Sequence, residues 1–278
     1  MAEEKMDIIA ILETHSKDNN MANFSNFIYS SGTTLNSWSG IAFLISKRVH
    51  KFVDKFVDKF VPISERCGLL YLNTWFKRTI LINVYAPPHR RDRLSFLDDL
   101  ENIVCSLPRS RNLIILGDLN IKIGKEESFI TVGVIGNAAI PQPNGEDSRK
   151  LLDLCKSLNL KIENTFFLHS ERNTLTYRRN NITSQIDFFI SNIHGWFTDV
   201  RALLNINISD HKLVRGSITI RNLWGNSRRL AISNQPSPPP WIIKARNLQC
   251  SEVKLLLVQN LRARMALNHG SSESESME

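Results

Sequence analysis

Seven short apolar runs, each bounded by polar or turn-forming residues, constrain this chain more than any other feature. They are Asp7–Leu12, Gly40–Ser46, Gly68–Asn73, Thr79–Tyr85, Asn112–Leu116, Gln185–Ser191 and Lys212–Ile220. Rich in Ile, Leu, Val and Phe, such runs read as β-strands. Between them, Arg91–Leu107 places Leu94, Leu97, Leu100, Val104 and Leu107 at three- and four-residue intervals. Asp147–Leu158 does the same with Leu151, Leu154, Cys155 and Leu158. These are the stripes of amphipathic helices. Many short strands with few helices between them predict an α/β or α+β domain with a mixed sheet and helices on the outside.

Length allows one large domain or two small ones: the chain has 278 residues. Its 35 Lys and Arg exceed its 27 Asp and Glu, a net charge of +8 that suits a polyanionic partner. No apolar run approaches the ~18 residues of a membrane span, so no membrane is expected as a partner. The opening Met1-Ala2-Glu3-Glu4 is acidic where a targeting signal would be basic. An intracellular location, nuclear or cytoplasmic, is the expectation. Cys67, Cys105 and Cys155 lie in apolar neighbourhoods and read as small buried hydrophobes; with Cys250 they form no metal-type pair.

Residues 1–220 hold the strand-rich pattern, and the composition then shifts. Residues 221–241 read as a linker, because Ser233–Pro240 has polyproline character. Residues 242–267 read as an amphipathic helical connector, its helix over Glu252–Leu267 marked by Val253, Leu256, Leu257, Leu261 and Met265. Residues 268–278 form a Ser/Glu tail expected to be disordered. Within the first domain, Lys51–Phe60 repeats Lys-Phe-Val-Asp and restarts it, a tandem duplication expected to lengthen a surface hairpin.

Polar clusters at the ends of the strand candidates carry the chemistry. They are Glu13-Thr14-His15, Gly117-Asp118-Leu119-Asn120, Gln185-Ile186-Asp187-Phe188 and Ser209-Asp210-His211, with Tyr85-Ala86-Pro87-Pro88 as a weaker fifth. Open α/β sheets place active sites at such strand ends. Gly-Asp-Leu-Asn alone could be an Asx turn. Asp187 is harder to dismiss, since an acid within Ile186-Asp187-Phe188-Phe189 is costly to bury without a partner. Together, four carboxylates, an amide and a histidine match metal-assisted phosphodiester hydrolysis. Mg²⁺ takes hard oxygen ligands from one or two carboxylates plus substrate phosphate, and a carboxylate-paired histidine supplies an oriented imidazole.

In text and order these clusters, with Gly40-Ile41-Ala42-Phe43-Leu44, Ile82-Asn83-Val84-Tyr85-Ala86-Pro87 and Asn144-Gly145, resemble the endonuclease/exonuclease/phosphatase superfamily. The match is nearest to the endonuclease domain of RTE-like non-long-terminal-repeat retrotransposons, and it runs from about Asp7 to Ile220. The resemblance implies a deoxyribonuclease I-like, four-layered α/β sandwich of two mixed sheets flanked by helices. It implies Mg²⁺, with Mn²⁺ as a substitute, and no small-molecule cofactor. Glu13 would be the main metal ligand and Asp210 would complete the metal side. Asp118 would orient or activate water, Asn120 would hold it with the phosphate, and Asp187 would hydrogen-bond His211. His211 would act on the scissile phosphate as base or as electrostatic stabiliser, and Tyr85 would contact the phosphate or stabilise developing charge. Thr176 and Tyr177 match a DNA-facing pair, and Arg178 and Arg179 follow as candidate phosphate contacts.

Members of the superfamily open with a further interior strand bearing an asparagine, and only six residues precede Asp7 here. The chain is therefore expected to lack that first strand. Residues 243–264 resemble the connector toward a reverse transcriptase domain, a partner expected in a full-length element but absent here. Ser184 stands where the family often has a polar or basic DNA-facing residue. Three functions follow: DNA nicking, a catalytically weak remnant that acts only by binding, or a phosphodiesterase on a lipid or inositol phosphate. Residues 221–278 contribute +4 of the net charge and residues 1–220 the other +4. With Glu13, Asp118, Asp187 and Asp210 reserved for the cleft, about +8 remains elsewhere on the first domain for a phosphate backbone.

Overall fold

The computed structural model describes residues 6–15, 21–23, 27–31, 39–46, 57–72, 79–125, 133–204, 209–219 and 252–259. Its strands begin with β1 (Ile8–Leu12), β2 (Met21–Asn23), β3 (Phe27–Ser31), β4 (Ile41–Ser46), β5 (Val57–Ser64), β6 (Cys67–Leu72), β7 (Thr79–Tyr85) and β8 (Asn112–Asp118). They continue with β9 (Lys161–Ile162), β10 (Tyr177–Arg179), β11 (Ile182–Ser184), β12 (Asp187–Ser191), β13 (Phe197–Ala202), β14 (Val214–Thr219) and β15 (Glu252–Gln259). The helices are α1 (Arg90–Ser106), α2 (Glu146–Ser157) and the single turn α3 (Glu171–Thr174), with a 3₁₀ turn at Glu163–Phe166.

Two mixed sheets form, ordered β13-β14-β15-β1-β4-β3-β2 and β5-β6-β7-β8-β12-β9, with β10-β11 as a separate hairpin. Strand alternation decides how the larger sheets stack. On the central strands of the six-stranded sheet, Leu81, Ile114, Leu116 and Phe189 join Ala10, Leu12, Phe43 and Val214 in one apolar core. That core lies between the sheets. Their neighbours Ile80, Ile82, Val84, Leu113, Ile115, Phe188 and Ile190 face the other way, onto Leu97 and Leu100 of α1 and Leu151 and Leu154 of α2. Each such fully buried side chain stabilises the fold by about 1.5–3 kcal/mol. Arg93 joins the two helices, donating to Asp147 Oδ2 from Nε at 3.0 Å and Nη2 at 2.7 Å.

This is the α/β sandwich that the family resemblance implies. Among the described residues the helices cover the six-stranded sheet, while Ile9, Ile11, Ala42 and Leu44 form a cluster away from the central core. The sheets are also joined by a polar tie. Asn83 on β7 is fully buried, and its Nδ2 donates to Ile11 O at 3.0 Å and Ala42 O at 3.1 Å on the opposite sheet.

Three expectations change. Glu252–Gln259 is a strand and not part of a helix: β15 runs parallel to β1 and antiparallel to β14. Its Leu255-Leu256-Leu257-Val258 run satisfies either periodicity, and two flanking strands with open backbone groups decide for the sheet. The sheet thus has an interior strand beside β1, drawn from a late part of the sequence. Second, the hairpin expected at the Lys51–Phe60 repeat is present as β5 and β6, and what changes is that the end of the repeat from Val57 is itself paired strand, residues 51–56 lying outside the described residues. As the edge of its sheet, β5 tolerates Pro62. Third, Cys105 is exposed, whereas Cys67 and Cys155 are buried and burial pushes both thiols up to about 12. Cys250, the linker 221–241 and the tail 268–278 lie outside the described residues. No helix among the described residues is long and apolar enough to cross a membrane.

Candidate active site

Strand register alone brings three of the expected residues into one row. β7 and β8 are parallel with Tyr85 opposite Asp118, and β8 and β12 are antiparallel with Asp118 opposite Asp187. In-register neighbours project from the same face of a sheet. Two carboxylates set directly opposite repel each other, and both are nearly inaccessible, Asp118 at 2% and Asp187 at 1% exposure. Such a pair needs a cationic partner. His211 supplies it: Nδ1 lies 3.1 Å from Asp187 Oδ2 and Nε2 lies 3.9 Å from Asp118 Oδ2. Burial pulls the His211 pKa down, but the charge and hydrogen bond of Asp187, with Asp118 and Asp210 beyond, raise it to about 9.

The other side of the cleft is built on Glu13, the residue after β1. Tyr85 Oη donates to Glu13 Oε1 at 2.7 Å. Burial, that hydrogen bond and the charges of Glu13 and Asp118 push the phenol pKa upward against the opposing Arg66, so Tyr85 stays a neutral donor. Arg66 sits 4.9 Å above the Tyr85 ring and donates from Nη1 to Tyr85 O at 3.3 Å.

Backbone strain concentrates here. Glu13, His15 and Asn120 hold φ of 53°, 52° and 51°, a region that costs a non-glycine residue of order 1 kcal/mol or more. At Asn120 the cause is visible: its N–H donates to Asp118 Oδ1 at 2.8 Å, and its Nδ2 donates to Ala86 O at 2.8 Å. The Asx turn therefore exists, and it orients the candidate catalytic carboxylate. Gly117 before it allows β7 to come close, since a Cβ there would lie 1.9 Å from Val84 O.

The DNA-facing expectation splits. Thr176 is fully buried; its hydroxyl accepts the N–H groups of Ile186 at 3.1 Å and Asp187 at 3.2 Å. It positions Asp187, and direct contact with DNA is corrected for this residue. Tyr177 forms an isolated bridge with His211, their rings 4.8 Å apart. Arg178 N donates to Asp210 O and Lys212 N to Thr176 O, each at 2.7 Å, so this segment holds the histidine loop. The side chains of Arg178 and Arg179 are exposed. Ser184 is buried and does not face outward. Asp210 is exposed and stands outside the trio of Asp118, Asp187 and His211, whose potential ligand atoms lie within 4.8 Å of one another.

The potential ligand atoms of that trio are close enough together to hold a metal ion. The charge and hydrogen bond of Asp187 favour the protonated imidazole of His211, and a cation bound to that ring would displace the proton. Glu13 has acceptor capacity to spare: a carboxylate has about four acceptor sites, and the Tyr85 bond uses one of its oxygens. Hard oxygen donors of this kind suit Mg²⁺.

Arg66 and Asn164 stand in none of the sequence clusters, and Ser209 stands in one without an assigned role. Asn164 is buried, accepts from Phe189 N at 2.8 Å and donates to Asp187 O at 3.1 Å, bracing the strand under Asp187. Ser209 Oγ accepts from His211 N at 3.0 Å. The Ser-Asp-His text held a signal for Ser209, but Arg66 and Asn164 reach the site only through folding.

Fold and site together define a phosphoesterase-type sandwich, and the chain belongs to the endonuclease/exonuclease/phosphatase family, whose model matches residues 1–211. Among individual proteins, it is similar to craniofacial development protein 2 of Bos taurus, 25% identical over 258 residues, covering 90% of this chain and 41% of that one. The Tragulus javanicus protein of the same name is 27% identical over 198 residues, covering 68% of this chain and 33% of its own length. The chain thus spans well under half the length of these curated relatives. In structure it resembles the endonuclease domain of TRAS1, a telomere-specific non-LTR retrotransposon (TM-score 0.50, 12% identity, covering 75% of this chain and 95% of that one). It also resembles an endonuclease/exonuclease/phosphatase family protein from Leptotrichia buccalis C-1013-b (TM-score 0.51, 12% identity, 76% and 86% covered). At such identities these two show the fold alone.

Proposed function

We propose that this chain is a divalent-cation-dependent endonuclease of retrotransposon origin that nicks one strand of DNA and leaves a 3′-hydroxyl. The observation that carries the reading is the convergence of Asp118, Asp187 and His211 from two opposed sheets, beside the Glu13–Tyr85 pair. Glu13 is the residue to hold Mg²⁺, or Mn²⁺ in its place, with Asp210 assigned to the same side on sequence grounds. A cation held there would supply Lewis-acid chemistry, polarising a non-bridging phosphate oxygen and easing departure of the 3′ oxygen.

The chain's own groups do the rest. Asp118, with Oδ1 committed to Asn120 N–H, presents Oδ2 toward His211 and orients the attacking water. Asp187 fixes His211 through Nδ1, which leaves Nε2 to donate to the scissile phosphate. Pre-set donors of this kind stabilise charge gathering in the transition state. Tyr85 keeps Glu13 in place and remains neutral. The exposed Arg178 and Arg179 contact the DNA backbone, with Tyr177 beside them, positioning DNA without reading its sequence.

The test compares relaxation of supercoiled plasmid by wild type, Asp118→Ala and His211→Ala, with Mg²⁺ and with chelator. Conversion by wild type alone, and only with the metal, is the expected result. Equal relaxation by all three proteins would remove the nicking claim.

A further inference from the structure

The centre of the seven-stranded sheet is assembled from chain segments far apart in sequence. β15 lies between β1 and β14, and its two ladders pair Ile8 with Leu255 through Leu12 with Gln259, and Val214 with Leu257 through Thr219 with Glu252. Both neighbours feed the site. β1 runs straight into Glu13, and its pairing with β15 ends at Leu12, the residue before it. β14 begins three residues after His211. The separation of Glu13 from His211 across this sheet is therefore one strand wide, and β15 is that strand. Adjacent strands lie about 4.8 Å apart, so β1 and β14 stand roughly 10 Å apart with β15 between them.

We propose that the channel between β1 and β14 is a strand-acceptor site whose ligand is the extended segment Glu252–Gln259 of this same chain, and that its occupancy assembles the two sides of the active site. Three features identify the occupant. Leu255-Leu256-Leu257-Val258 is a continuous apolar run, the sequence pattern of an interior strand. Thirty-two residues separate Thr219 from Glu252, so the pairing of β15 with β14 is not a short hairpin imposed by chain connection. The site binds by main-chain pairing on two edges at once, the strand-addition mode of peptide recognition. An empty channel would leave the inward backbone groups of β1 and β14 without partners, so the sheet closes around the segment or loses its order.

The experiment uses the full chain with Ser233–Pro240 replaced by the recognition sequence of a site-specific protease. After cutting, the C-terminal fragment is expected to co-elute with the body in gel filtration. An excess of labelled peptide spanning residues 250–262 is expected to displace it, and a peptide carrying Leu256→Pro is expected not to. In the uncut chain, Leu256→Pro should lower Tm by at least about 5 °C, since proline removes a ladder donor from an interior strand. Ser272→Pro in the tail should leave Tm unchanged. A fragment that elutes alone while the body keeps its Tm would overturn the proposal, as would an unchanged Tm in Leu256→Pro. Co-elution at twice the expected mass would also overturn it, by showing the strand supplied by a second copy. These readings do not depend on catalysis. Only the added expectation, a fall of at least about tenfold in plasmid nicking for Leu256→Pro, rests on the nuclease reading, so the two can fail separately.

Discussion

The two sheets reach the same cleft by opposite routes. In the six-stranded sheet, β7, α1 and β8 follow one another along the chain, and β12 then pairs against β8. Register within this one unit places Tyr85, Asp118 and Asp187 in a row. In the seven-stranded sheet the centre draws on Val214–Thr219, Glu252–Gln259 and Ile8–Leu12, and Ile8 pairs with Leu255. Local pairings cost little loop entropy, whereas distant ones cost more and form more slowly. The carboxylate row is thus preset, and the Glu13 and His211 sides depend on long-range closure.

The largest effect tests that division within the row itself. Asp187→Asn keeps the size of the side chain but removes the charge that holds His211. Nicking is expected to fall roughly 10²-fold or more, the range of a lost proton-transfer or orienting group. Tm should hardly change, because the repulsion from Asp118 disappears with the charge. A mutant that keeps wild-type activity would detach the row from the chemistry.

Glycines compare the sheets directly. Gly117→Ala puts a methyl 1.9 Å from the main-chain Val84 O at a φ of +153°, and the parallel seam between β7 and β8 must open to admit it. A loss of about 3 kcal/mol or more is expected from urea unfolding. Gly216→Ala on β14 instead meets the rings of Phe197 at 2.9 Å and Phe189 at 3.2 Å, side chains able to move. About 1–2 kcal/mol is expected there. Equal losses would mean that both sheets are equally rigid and would blunt the comparison.

Asn83→Ala probes the tie between them. Removing Nδ2 leaves Ile11 O and Ala42 O without this donor in the interior, a cost of about 1–3 kcal/mol. Ile11 lies two residues before Glu13, so nicking should fall by more than the loss of folded protein explains. If Tm holds and activity holds, the sheets are joined by apolar packing alone.

The same division explains what the sequence made legible. Strands with long apolar runs, such as Thr79–Tyr85 and Asn112–Leu116, announced themselves, and so did both amphipathic helices. Buried acids inside such runs announced the site, because Asp187 within Ile186-Asp187-Phe188 has no structural excuse without a partner. What was not legible depended on distant partners. β15 carries an apolar spacing that a helix also satisfies, and only the channel between β1 and β14 decides its conformation. β13 alternates apolar and polar residues too weakly in Phe197–Ala202 to stand out from the surrounding loop. Thr176 looked like a surface partner of Tyr177, yet its hydroxyl is taken by two backbone donors that sequence order alone does not bring near. Arg66 and Asn164 are ordinary polar residues until the sheets close.

The smallest effect concerns an acid that supports the preset sheet from behind. Glu163 is buried, and its Oε1 accepts from Ser191 Oγ of β12 at 2.5 Å. Burial raises its carboxyl from the ordinary 4.5 to about 7, against the lowering influence of the Ser191 hydrogen bond and Lys161. The sign follows from which state binds the proton. Between about 4.5 and about 7 the unfolded chain has released it while the folded chain retains it, so stability falls as pH rises through that window. Above the window the penalty is complete, and below it neither state is charged. Glu163→Gln removes the titration and retains an amide for Ser191, so its Tm should exceed that of wild type at about pH 8 and converge on it at about pH 4. Melting curves of the two proteins across that range check the expectation, and parallel curves would refute it. Because Asn164 beside it braces Asp187 O, a wild-type loss that develops between about pH 4.5 and about 7 and persists above that window would locate the softest point of the carboxylate row behind β12 and not at its seam with β7.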